Sequence, residues 1–157
     1  MIILANVKEG LTFKGVFVGV LKDKNGKEKQ RIEKDNLIVN GGMDGIADQL
    51  LNSPTIPVPS HMGLGEGTTS PTVGDTALED ERGTRQTLTK ERELNEVEFY
   101  AVFGPNEPVG ETMEITEAGI FNAGSGGDMW ARITFGIVTK EPADTFDVTW
   151  TWQIKNA

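Results

Sequence analysis

The chain has 157 residues, 37% of them hydrophobic, which is enough for one domain with a substantial core and too little to expect two. It has no cysteine, which excludes a disulfide framework and thiolate metal sites. Its formal charge of −9 is uneven: residues 1–40 carry eight Lys/Arg against five Asp/Glu, and the remainder carries seven against nineteen.

So acidic a body is repelled by phosphate backbones, and nucleic-acid binding is not expected; the basic stretch at residues 22–34 is the exception in composition. No apolar run has the length to cross a bilayer, and the first residues lack the basic start of a signal peptide. No membrane partner is therefore expected.

Residues 12–22 and 27–34 read as a basic β-hairpin, with Asn25-Gly26 as the favoured pair for a two-residue turn. The second of these strands has almost no apolar residue beyond Ile32, the pattern of an edge strand guarded by lysines. Residues 36–40 form a short strand stopped by Gly41-Gly42. Met43, Ile46, Ala47, Leu50 and Leu51 then recur at helical spacing, with Asp44 expected in the first turn, and this helix is expected to cover one end of the core. Three prolines make residues 52–60 an extended connector.

Residues 61–65 are a candidate short strand whose glycines permit close backbone approach, and 66–75 is a loop. Residues 86–89 are a second candidate. Residues 96–103 are a clear strand, with Val97, Phe99, Ala101 and Phe103 on one side. After the break at 104–110, residues 112–121, 129–135 and 145–154 read as an antiparallel three-strand meander. Its last strand alternates Phe146, Val148, Trp150, Trp152 and Ile154 with polar residues, the period of a half-buried strand. The fold class expected is mainly β: an antiparallel β-sandwich or flattened barrel of about eight strands with one short α-helix.

Candidate chemistry is sparse. Gly63-Leu-Gly-Glu-Gly67 lacks the Lys-Ser/Thr of a phosphate loop and reads as a tight turn. His61 is the only histidine and has no Ser or Cys nucleophile context, so it reads as a structural or interface residue. Glu66, Asp75, Glu79, Asp80 and Glu81 offer oxygen ligands for a divalent cation, but their spacing matches no EF-hand. The three tryptophans lie on strands, where burial is expected ahead of sugar stacking. No catalytic, cofactor or metal residue is assigned, and no enzymatic activity is expected.

Five blocks of the chain carry a resemblance. They are residues 36–51 (Asn-Leu-Ile-Val-Asn-Gly-Gly-Met onward), 61–78 (His-Met-Gly-Leu-Gly-Glu-Gly-Thr-Thr onward), 115–122 (around Thr-Glu-Ala-Gly-Ile-Phe), 129–132 (Met-Trp-Ala-Arg) and 144–152 (Asp-Thr-Phe-Asp-Val-Thr-Trp-Thr-Trp). Together, in order and spacing, the series resembles a group of small tailed-bacteriophage virion structural proteins. It is also similar to the N-terminal part of phage tail-collar fibre proteins, which continue into a long fibre; this chain reaches Ala157 straight after its last strand, and no shaft is expected.

The resemblance implies a multicopy accessory protein located in the virion and assembled in the host cytoplasm. The favoured form is a capsid-decorating (cement) protein bound to the major capsid protein on the outer head. The alternatives are a tail, collar or baseplate component bound to tail proteins, or a tail-fibre-type receptor- or glycan-binding module. Decoration proteins of this kind are commonly trimers with extended N-terminal segments, so a homo-oligomer is implied. Residues 1–10 are then either an arm that adds a strand to another sheet or the first strand of their own domain. The candidate contacts with subunits or virion are Ile2, Ile3 and Leu4 in that segment, Pro57, Val58 and His61 around the connector, Glu66 and Thr68 in the glycine-rich loop, and Pro105 and Asn106 in the 104–110 loop.

Overall fold

The fold is built by chain segments whose apolar residues fall every second position. A computed structural model describes residues 10–157, and the expected contacts Ile2, Ile3 and Leu4 lie outside the described residues. Ten strands and one helix follow in order: β1 (Leu11–Lys22), β2 (Glu28–Asp35), β3 (Leu37–Ile38), α1 (Asn40–Asp48), β4 (His61–Gly65), β5 (Gln86–Thr87), β6 (Thr89–Glu93), β7 (Glu96–Phe103), β8 (Met113–Phe121), β9 (Met129–Lys140) and β10 (Thr145–Asn156). They form two five-stranded antiparallel sheets, ordered β2-β1-β10-β7-β6 and β3-β9-β8-β4-β5. Their inner faces share one core, in which Phe17, Phe103, Phe146 and Trp150 of the first sheet meet Met62, Ile115 and Ile120 of the second. The described residues form a β-sandwich of ten strands.

The β1–β2 hairpin forms as expected, with β2 at a sheet edge. Its turn is longer than two residues, because the Asp23 N–H donates to the Lys27 carbonyl and the Gly26 N–H to Asp23. Gly26 takes φ of +80°, so the connection is a three-residue turn with glycine in the left-handed position.

Three expectations are corrected. The meander is interrupted: β8 and β9 pair, but β10 crosses to the other sheet and lies between β1 and β7. Helix α1 begins at Asn40 and ends at Asp48, so Asp44 is mid-helix rather than in the first turn, and Leu50 and Leu51 lie beyond its end. The segment expected as one strand at 86–89 divides into β5 and β6, which belong to different sheets.

The outer faces of the two sheets differ. Along the second, the 66–85 segment folds across β8: Leu78 sits over Gly119 and joins Val39, Phe121 and Met129 in a separate small cluster. The outer face of the first sheet carries no such cover from the described residues; Tyr100 and Val102 stand 36% and 38% exposed on it.

Candidate functional site

Three polar anchors fix the loops of this sandwich. The largest centres on Glu117 of β8, whose side chain is fully buried. A buried carboxylate is tolerated only when its lone pairs are supplied. Here it accepts from the backbone N–H groups of Gly67 (3.1 Å), Glu79 (3.1 Å) and Asp80 (2.7 Å), and from Arg132 Nε (3.1 Å) and Nη2 (2.9 Å).

Arg132 of β9, itself 3% exposed, reaches on to Asp75 at 2.8 Å. Burial opposes the charges, but the bonds prevail. Those from Asp75 and Glu117 raise the Arg132 pKa, and those from Thr72 and Arg132 hold the Asp75 carboxyl below its ordinary value. Thr116 adds a hydroxyl bond to the Gly67 carbonyl at 2.8 Å. Side chains at Gly65 and Gly67 would collide with Glu117. The glycine-rich block is therefore neither a phosphate loop nor a tight turn: Gly63 and Gly65 lie within β4 and the glycines permit close approach.

A second anchor is Arg85. It makes a bidentate pair with Glu81 (2.6 and 2.9 Å), donates to the carbonyls of Ala123 (2.9 Å) and Gly126 (2.8 Å), and lies 3.4 Å over the Phe121 ring. It thereby joins the 81–85 segment to the β8–β9 turn. The third anchor ties the opposite end of the molecule. Lys29 pairs with Asp144 at 2.8 Å, and Lys140, 2% exposed, donates to the Gly104 carbonyl at 3.0 Å. Burial pushes the Lys140 pKa down, while Asp144 stays below its ordinary value because the Lys29 bond and the Glu141 N–H outweigh its own burial.

The expected contact residues fall into three places. Pro57, Val58 and His61 gather beside the β8–β9 turn: the Pro57 carbonyl accepts from Asn122 at 3.1 Å, Val58 is 44% exposed, and His61 Nδ1 bonds Ser60 Oγ at 2.8 Å. Glu66 is held inward by Arg82 at 2.6 Å, whereas Thr68 next to it is exposed. Pro105 and Asn106 are exposed near the β9–β10 connection, where the Asn106 N–H donates to Pro142 at 2.8 Å.

Among the described residues no group of three or more His, Asp or Glu is placed to hold a metal ion. Glu66 and Glu81 pair with Arg82 and Arg85, while Asp75 and Glu79 accept from Thr72 and Thr69 and both face Arg132. No family model, curated protein or solved structure matches this chain.

Glu117, Arg132 and Arg85 were not singled out by sequence reasoning, although the first two stand inside blocks that carry the resemblance. The alternation around Glu117 gives no cue to its burial, since a β-bulge between Ile115 and Glu117 resets the period of β8. The arrangement ties the loops to the sandwich through buried and half-buried hydrogen bonds.

Proposed function

We propose that this chain is a non-enzymatic bacteriophage virion structural protein that decorates the outer surface of the capsid and binds the major capsid protein through its loops. The observation that carries the reading is where the resembling blocks meet. The second, third and fourth blocks supply Gly67 and Asp75, Glu117, and Arg132 to a single buried node, so the shared residues are the ones that set loop positions. Pro57, Val58, Thr68, Pro105 and Asn106 are the loop-tip residues offered to neighbouring subunits.

Gold-labelled antibody against the protein, applied to purified virions and viewed by electron microscopy, tests the assignment. Label over the whole head is the expected result. Label confined to the tail or its tip overturns the capsid assignment in favour of a tail, collar or receptor-binding component, and unlabelled particles overturn the virion reading itself. Removing residues 1–10 is expected to abolish attachment while leaving the sandwich folded; retained attachment removes that segment from the binding role.

A further inference from the structure

We infer that the face of the β2-β1-β10-β7-β6 sheet left uncovered by the described residues binds a second copy of this chain, the acidic corner at β6–β7 receiving the basic β1–β2 turn of its neighbour. The inference concerns the isolated protein and does not depend on the virion reading.

The register of β6 and β7 places Glu91 directly opposite Glu98, and Glu93 directly opposite Glu96. Like charges in direct cross-strand pairs destabilise a sheet. None of the four is in an ion pair among the described residues, and they line a surface cavity of about 320 Å³ with Arg92 and Thr151. At the tip of the same hairpin Leu94 is 82% exposed and held at φ of +50°. The turn is fixed, with the Leu94 carbonyl accepting from Arg92 at 2.7 Å and Asn95 donating to Ile154 at 2.7 Å, so an apolar side chain is presented rigidly to water. On the same face half-exposed Val16, Val18 and Val20 of β1 and Tyr100 and Val102 of β7 flank a polar row of β10, Asp147, Thr149 and Thr151.

The complement lies on the same sheet. Residues 22–34 carry six Lys/Arg against three Asp/Glu. In the turn, Lys24 and Lys27 are exposed and outside any ion pair among the described residues, because the Asp23 carboxylate is taken by the N–H groups of Asn25 and Lys27 at 2.8 and 3.0 Å. Within one copy the two regions cannot meet. The turn adjoins Thr145 at the start of β10, and Glu98 pairs with Thr151 further along it. That separates them by roughly 20 Å along the strands and roughly 14 Å across them. Contact therefore runs between copies, and because both patches border one sheet face, a two-fold pairing makes each contact twice.

Sedimentation velocity of the purified full chain tests this. Oligomer is expected at low ionic strength, dissociating as salt shortens the reach of exposed charges. K24E/K27E and E91K/E98K should each weaken association by about tenfold or more. The quadruple variant K24E/K27E/E91K/E98K, which swaps the charges, should restore it. E91Q/E98Q should raise the melting temperature while weakening association, a pair of effects that a merely structural role does not produce. A wild-type chain monomeric at every salt concentration, single-side variants that associate like wild type, or a folded quadruple variant that stays dissociated would each overturn the inference.

Discussion

Glu117 shows how one residue can hold a long loop. Its carboxylate takes five donors, three of them backbone N–H groups of the segment that crosses β8. Glu117→Ala strips Arg132 of a buried partner and leaves those N–H groups open. The expected loss is about 3–5 kcal/mol in urea unfolding, with hydrogen exchange rising first across residues 66–82. A loss below about 1 kcal/mol would show the node to be dispensable.

Asp75 and Asp144 give the pH dependence its sign. Both carboxyls sit below their ordinary values in the folded state, so between the folded and unfolded pKa the unfolded chain binds more protons and stability rises with pH. Their contribution is present above the unfolded value and fades as pH falls through the folded one. The melting temperature should fall on acidification below the ordinary Asp range, and less steeply in Asp75→Asn.

At the scale of elements, α1 buries less of its periodic apolar set than expected, with Ile46 packed against the core and the others not. Periodicity assigns Met43, Leu50 and Leu51 to the core, yet they are 43%, 86% and 60% exposed. The fully buried residues of the helix are Gly42 and Gly45, because the Trp130 ring lies against it where a side chain at Gly45 would stand. Alanine at a helix interior ordinarily adds roughly 1 kcal/mol over glycine. Gly45→Ala should instead cost about 1–3 kcal/mol, since the added methyl overlaps the indole. Leu50→Ser and Leu51→Ser should change stability by less than about 0.5 kcal/mol. Thermal melts of the three variants check these values. The strand β6, fully exposed along Thr89–Glu93, was hidden for a related reason: with no buried side it has no alternation to display.

For the whole molecule, β10 decides more than its place at the end of the chain suggests. It lies in the middle of its sheet, pairing along its length with β1 and also with β7, and it contributes Phe146, Val148, Trp150 and Trp152 to the core. A chain truncated after residue 144 should lose cooperative unfolding and near-ultraviolet circular dichroism altogether; a retained melting transition would show the other nine strands to be self-sufficient.

By itself the sequence determined the β class, the basic hairpin and the buried sides of β7 and β10. Those are local matters, since a period of two declares which side of a strand is wet. Tertiary structure alone decided that β10 leaves its neighbour for the opposite sheet, that Glu117 meets Arg132, that α1 packs Gly45 against Trp130, and which sheet face the described residues leave uncovered. Each of these depends on which distant segments approach one another, and neither alternation nor propensity in one stretch of chain carries that information.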